Sequence, residues 1–516
     1  MGAWAHDHPD AVAWHDLADG SDLTFATWDA QANRLARGLG ERGLAPGERV
    51  VIGVGPDRPF PWLIAYTAVH RAGAVAVPVN TRLAGAELRR IIDHAEPTVV
   101  LASVSTDAGE SWAELVTGAR GLRVLATTGD ERDWSALLHA DATPLPPPPG
   151  AGETSDIMNT SGTTGSAKAV VVRHPPPDPS HRRPEWNGLG FVTASPFSTT
   201  SGALLIHGPM NGGLSGWYLP RFDAGQWLSL IEERRPMVAF IVPAMAQLIV
   251  AHPRFPEVDF SGLAALTIGG APVARATLQR LGERMPGTDV LVGYGLTEFG
   301  AVTRSPSGDH GRHLGSAGRS LPGVEIRVVD DHGNPVAPGQ VGEITVRGTE
   351  PARRYFKEDV ATGQTWRGGW LCSGDLGYLD EDGFLWITGR IKDLIIRGGH
   401  NIVPGEVEEA LFAHPAVAEA AVAGIPHDVL GEDVGAWVVM RDGSDVDATE
   451  LRAFLLERLA DYKVPRSFQI VDRLPRNAAG KVVAHELVSA LRPDLDAAGP
   501  APAPSGHAPT PPGNHR

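Results

Sequence analysis

Short all-apolar runs alternate with amphipathic stretches along the first 150 residues. RVVIGVG, AVAVPVN, TVVLAS and RVLAT read as brief strands buried on both faces. PWLIAYTAVHRAG between two of them reads as a helix, and LTFATWDAQANRLARGLGERGL as a strand followed by an amphipathic helix. The alternation predicts an α/β fold with a largely parallel sheet. PLPPPPGAG (144–152) is a linker-like break. The pattern resumes in LGFVTAS, VAFIVPAMAQLIVAH, LAALTIGG and DVLVGYGLTE. PPPDPSHRRPEWN (175–187) holds too many prolines for a regular helix.

From about residue 315 the chain turns β-rich, with DHGNP and DEDGF as hairpin-turn signals. Beyond residue 392 a small α+β unit is predicted, with helices at PGEVEEALFAHPAV and TELRAFLLERL and strands at AEAAVAG and GAWVVM. The tail from about 494 has the composition of disorder. No internal repeat is visible.

Composition narrows the classes. A chain of 516 residues exceeds one core, so two or three domains are expected. A formal charge of −16 argues against nucleic-acid binding through bulk electrostatics. No apolar run is long enough for a membrane span, and MGAWAHDHPDAV lacks a secretory pattern, so a cytoplasmic protein without membrane attachment is expected. The lone cysteine, Cys372, excludes an internal disulfide and reads as a small buried residue.

Only five of the 45 basic residues are lysine: Lys168, Lys357, Lys392, Lys463 and Lys481. Each therefore marks a position where arginine's planar fork does not substitute for a compact ammonium. Lys168 closes TSGTTGSAK (160–168), a glycine- and hydroxyl-rich loop between two strands. Its spacing is not that of a Walker loop, but small residues that admit phosphate oxygens to backbone N–H groups, plus a cation, serve the same chemistry. GYGLTE (293–298) puts Glu298 at a strand end, where one carboxylate suits a Mg²⁺ shared with phosphates. WLCSGD (370–375) reads as the end of a strand closed by Asp375, whose carboxylate suits ribose hydroxyls. GRIKDLIIRGG (389–399) and LPRNAAGK (474–481) follow.

In this order the motifs resemble the ANL superfamily of adenylate-forming enzymes, which includes acyl-CoA synthetases, peptide-synthetase adenylation domains and luciferases. The resemblance runs from about residue 10 to about 490. It implies a large N-terminal α/β domain with a β-rich subdomain (1–390), a small mobile α+β lid (391–493), and a disordered tail (494–516). It implies ATP, Mg²⁺ and CoA as cofactors, a small carboxylic acid as substrate, CoA or a carrier-protein thiol as acceptor, and a homodimer as a family expectation.

By matching motifs, the resemblance assigns Thr160, Ser161, Gly162, Thr163, Thr164, Gly165 and Lys168 to the β- and γ-phosphates. Gly269, Gly270, Ala271 and Pro272 would border the adenine, with Tyr294 and Gly295 beside it. Thr297 would meet the α-phosphate, Glu298 the Mg²⁺, and Asp375 with Arg390 the ribose. Lys392 matches the hinge, Arg397 with Gly398 and Gly399, read as lying on a strand, lines a CoA channel, and Lys481 matches the lysine bridging carboxylate and α-phosphate. Lys463 and Arg466 are further candidates for CoA phosphates.

Phe197, Ser198, Thr199, Ser201, Gly202 and Gly293 would form the acyl pocket. SPFSTTSG (195–202) departs from the family, placing Thr199 beside Ser198, Thr200 and Ser201 where an aromatic or histidine gate is usual. Ser198 in place of an aspartate disfavours an amino-acid substrate. A row of unpaired hydroxyls would disfavour a long alkyl chain. The implied activity is an acyl-CoA or aryl-CoA ligase. The alternatives are an adenylate passed to a carrier thiol or an amine, an ATP-dependent diazotisation of nitrite, and a non-catalytic nucleotide binder, against which the retained lysines argue.

Overall fold

The computed structural model describes residues 1–128, 134–145, 152–160, 168–175, 183–306, 313–349, 352–441, 443–476, 482–484 and 486–489. The linker 146–151, the loop residues Ser161–Ala167, most of the proline-rich stretch, Lys481 and the tail lie outside them.

Four sheets form among the described residues. The six-stranded sheet is built on the predicted apolar runs, in the order Val124–Thr127, Val99–Ala102, Arg49–Gly53, Val75–Pro78, Thr154–Asn159 and Ala169–Arg173. Its pairs are parallel except the last, a hairpin. Alternate side chains enter different cores. Val50 and Ile52 join one apolar cluster with Trp28, Leu63 and Val99, while Val51 joins another with Val77 and Val100. Burial on both faces explains why these strands read as continuous apolar runs rather than alternating ones.

The helix Phe25–Glu41 closes the first of these cores. Thr24 caps it by accepting from the Thr27 backbone N–H, and Phe25, Trp28, Ala32, Leu35 and Leu39 form its buried stripe. The nine-stranded sheet carries the middle of the chain. Its strands Gly190–Thr193, Val238–Ile241, Ala265–Gly269 and Asp289–Leu296 are consecutive parallel neighbours.

A wholly antiparallel sheet spans Val324–Arg390, with DHGNP and DEDGF making their predicted turns through Asp330 N–H to Asn334 O and Asp380 N–H to Phe384 O, 2.9 and 3.0 Å. The fourth sheet, from Ile395 to Ile470, packs with the helices Pro404–Phe412 and Ala448–Leu456 around its own apolar cluster. A 3₁₀ turn, Ile391–Asp393, joins the third and fourth sheets.

The end of the proline-rich segment is pinned to the N-terminal helix Gly2–Asp7. Trp186 packs on Trp4 and Phe25, Arg183 lies over the Trp4 ring and pairs with Asp7, and Asn187 N–H reaches Gly213 O.

Two expectations change. WLCSGD does not end a strand, because Trp370–Leu379 continues past Asp375 in register with Leu385–Arg390. Cys372 is half-exposed rather than buried, on a sheet whose two faces are unequally covered.

Candidate active site

Three motif segments leave the same end of neighbouring parallel strands. SPFSTTSG follows Gly190–Thr193, Gly269 ends its strand, and GYGLTE closes Asp289–Leu296. In open α/β sheets ligands bind outside such carboxyl ends. Gly269 and Gly293 are register partners there, and Gly270 to Pro272 continue as a largely exposed loop. Gly295 lies opposite Ala301 in the hairpin that follows.

Tyr294 crosses from this sheet to the antiparallel one. Its hydroxyl donates to Asp375 Oδ2 at 2.6 Å, and Arg390 Nε lies 2.9 Å from Asp375 Oδ1. Asp375 is only 4% exposed. Burial and the Asp375 charge push the Tyr294 phenol well above its usual range, so it stays a donor. Both carboxylate oxygens retain lone pairs for further donors such as ribose hydroxyls.

In TSGTTGSAK, Thr160 N–H donates to Lys168 O at 2.9 Å and closes the base of the loop. Its interior residues Ser161, Gly162, Thr163, Thr164 and Gly165 lie outside the described residues, as does Lys481. Lys168 Nζ stands 4.6 Å from the centroid of the Tyr355 ring. The Tyr355 hydroxyl donates to Glu298 Oε1 at 2.9 Å. Arg353 Nη1 donates to Thr297 O at 2.8 Å. The strap carrying both residues is laced to the strand Ala169–Arg173 by Val171 N–H to Arg354 O and Phe356 N–H to Ala169 O, 2.8 and 2.7 Å. Lys168 and the adjacent pair Thr297 and Glu298, far from it in sequence, thus come to one place.

Sequence reasoning missed Tyr355 and Arg353, which lie in no motif. Scarcity was the available signal: the chain has six tyrosines, and Tyr294 and Tyr355 are two of them.

The SPFSTTSG segment differs from expectation. Its hydroxyls are not an unpaired row. Thr199 Oγ1 donates to Pro196 O at 2.8 Å and accepts from Gly202 N–H at 3.0 Å, capping the helix Thr200–Leu205, and it lies 3.3 Å from Ser201 Oγ. Thr200 and Thr297 share a hydrogen bond of 3.0 Å between their hydroxyls. Thr199, Thr200 and Ser201 thus have partners within the protein, whereas Ser195 Oγ, at the start of the segment, is buried without one. A Cβ on Gly202 would stand 1.9 Å from Pro196 O, so only glycine permits this turn. Phe197 is a core residue, its ring against Trp14, Trp62 and Tyr218, and Ser198 faces a small cavity with Trp62, Asn80 and Arg82.

The CoA-channel assignments also shift. Gly398 and Gly399 are not on a strand but form the two-residue turn between Ile395–Arg397 and His400–Ile402, with φ of +56° and +85° that glycine adopts freely. Arg397 is not open to a phosphate. It is 6% exposed, its Nε contacts Asp433 Oδ1 at 2.6 Å as an ion pair rather than an aligned hydrogen bond, and Nη1 donates to Tyr462 O at 2.7 Å. A buried arginine pairs because an unpaired charge there is costly. Lys463 holds Glu406 through both carboxylate oxygens, while Arg466 is exposed. Lys392 lies in the 3₁₀ turn between the sheets.

No group of three or more His, Cys, Asp or Glu suited to a metal occurs among the described residues. A single oriented carboxylate, Glu298, beside a phosphate loop fits a Mg²⁺ that arrives with nucleotide and takes its other ligands from phosphate and water.

Parallel α/β sheets, a glycine- and hydroxyl-rich loop closed at its base by Thr160 and Lys168, and a tyrosine–aspartate pair joining two sheets accord with an adenylate-forming class of enzyme. The chain matches the AMP-binding enzyme family over residues 2–356 and the AMP-binding enzyme C-terminal domain over 406–481, and it belongs to that family. It is 35% identical to a feruloyl-CoA synthase of Amycolatopsis sp, over 94% of this chain and 98% of that one. Among solved structures, ATP-bound MatB from Rhodopseudomonas palustris superposes with a TM-score of 0.83 at 31% identity, over 94% of this chain and 97% of that one. The amide bond synthetase McbA from Marinactinospora thermotolerans superposes with a TM-score of 0.79 at 29% identity, over 93% and 96%. No helix among the described residues is long and apolar enough to cross a membrane.

Proposed function

We propose that the protein is an ATP- and Mg²⁺-dependent acyl-CoA or aryl-CoA ligase. A carboxylate oxygen attacks the α-phosphorus of ATP, the bond to the β-phosphate oxygen breaks, and pyrophosphate leaves with the electron pair. The CoA sulfur then attacks the acyl carbon of the adenylate, its thiol proton is lost, and AMP leaves.

The observation that carries the reading is the run of contacts from Lys168 through Tyr355 to Glu298 and from Thr297 to Thr200, which lines up a cation, a carboxylate and hydroxyls beside the acyl segment. In this reading residues 160–165 and Lys168 hold the β- and γ-phosphates, and Thr297 meets the α-phosphate. Glu298 holds the Mg²⁺, which neutralises phosphate charge when bound. Tyr294 and the 269–272 loop border the adenine, and Asp375 with Arg390 takes the ribose. Thr199, Ser201, Gly202 and Gly293 wall the acyl pocket. Lys481 enters with the lid for the first half-reaction and leaves for the second, with Lys392 at the hinge and the Gly398–Gly399 turn against the CoA arm. Preorganised charge at the phosphoryl oxygens is the source of rate. A cytoplasmic location goes with the use of ATP and CoA.

The similarity to an amide bond synthetase favours one second reading, transfer of the same adenylate to an amine. A Lys481→Ala variant separates the steps. It should lose on the order of 10²–10³-fold in pyrophosphate formation, yet still convert a supplied acyl-adenylate and CoA to thioester. Equal loss of both steps contradicts the assignment, and amide without thioester selects the second reading.

A further inference from the structure

We propose that Tyr355 is a positioning residue that sets the Glu298 carboxylate and the Lys168 ammonium as one unit for Mg²⁺-bound nucleotide. This rests on the ligase reading above. Tyr355 touches both groups through different parts of its side chain. Its hydroxyl donates to Glu298 Oε1 at 2.9 Å, and its ring face lies 4.6 Å from Lys168 Nζ.

The donation occupies Oε1 and fixes the plane of the carboxylate, leaving Oε2 to turn to a cation. Partners that orient a ligating carboxylate govern metal affinity almost as strongly as the ligand itself. The ring holds the ammonium without neutralising it, since a cation–π contact leaves the charge and all three N–H donors available to phosphate. A carboxylate in the same place would pair with Lys168 and compete with the nucleotide.

Tyr355 is itself held rigidly. It is 6% exposed, it forms an isolated β-bridge with Val170, and its backbone N–H donates to Thr362 Oγ1 at 3.0 Å. The strap comes from the antiparallel region, while Lys168 adjoins the six-stranded sheet and Glu298 the nine-stranded one. One side chain thereby registers three parts of the fold against the phosphates.

The test measures binding of a non-hydrolysable ATP analogue by calorimetry, with Mg²⁺ titrated from zero, in the full-length protein and in Tyr355→Phe, Tyr355→Leu and Glu298→Gln, with thermal melting of each. Tyr355→Phe keeps the ring and the strap. It should raise the Mg²⁺ concentration for half-effect by about 10-fold, with Mg²⁺-free binding unchanged. In a Glu298→Gln background it should add no further shift. Tyr355→Leu should weaken analogue binding with and without Mg²⁺, because Lys168 loses its platform. The proposal is overturned if Tyr355→Phe leaves the Mg²⁺ dependence unchanged while Glu298→Gln shifts it, or if Tyr355→Phe weakens binding equally at every Mg²⁺ concentration. If Glu298→Gln itself shifts nothing, the Mg²⁺ assignment in the ligase reading fails, and the proposal with it.

Discussion

Tyr294 and Asp375, 81 residues apart, meet at 2.6 Å through a phenol that donates to a nearly buried carboxylate. Asp375 also carries Arg390 at 2.9 Å, so three motifs share one ion-paired knot beneath the proposed adenosine site. Tyr294→Phe should raise the KM for ATP about threefold, because the hydrogen bond to the carboxylate is lost while Asp375 keeps Arg390 as its partner. Asp375→Asn should raise it by about 10-fold or more, because Arg390 loses its partner as well. The double variant should fall short of the product, since residues in one network couple. Multiplicative effects would mean the two side chains act separately.

Thr200 of SPFSTTSG and Thr297 of GYGLTE are joined by one hydroxyl pair. Thr200→Val should slow pyrophosphate release by about 3- to 10-fold for every accepted acid, because the pair is lost wherever the acyl chain ends. Acid preference should hardly move. A variant that instead changes which acids are accepted, at unchanged rate for the best one, would place Thr200 in the pocket wall.

Arg397 carries a prediction that separates structure from ligand contact. Its burial against Asp433 makes Arg397→Ala a loss of stability of about 3–5 kcal/mol in the C-terminal unit, read by melting or urea. An unchanged melting curve with a raised KM for CoA would restore the phosphate-binding role.

Glu408 gives the pH dependence. Burial pushes its carboxyl up to about 7 although the Val422 N–H, 2.9 Å away, favours the charged form. The unfolded carboxyl ionises near 4.5, so the stability this group contributes is full below that pH and lost as pH rises through about 7. Its side chain is partly exposed, and solvent discounts a bound of about 3 kcal/mol to about 1. Glu408→Gln should therefore raise the melting temperature at pH 8 and leave it nearly unchanged at pH 4.5. A shift of equal size at both pH values would contradict this.

The elements were legible because both-face burial writes itself as unbroken apolar runs, as in Val99–Ala102, and because Asn, Asp and Gly mark turns such as DHGNP. The candidate site was legible where a rare residue stands, as at Lys168, which lies against the Tyr355 ring that also reaches Glu298. Sequence could not show which hydroxyls of SPFSTTSG were already paired, since Thr199 spends its oxygen on a helix cap and Thr200 on a residue 97 positions away. Nor could it show that Arg397 faces inward, because Asp433 reaches it across two strands of the fourth sheet. Tyr355 stayed hidden for a related reason: its role depends on a strap crossing from one sheet to another.

The most direct measurement is pyrophosphate release from ATP and Mg²⁺ across fatty, aryl and polycyclic carboxylates, and nitrite with and without an aryl amine, each with and without CoA. The account predicts release that depends on a carboxylate, and an acyl-CoA product once CoA is added. Release with nitrite alone, indifferent to CoA, would contradict it.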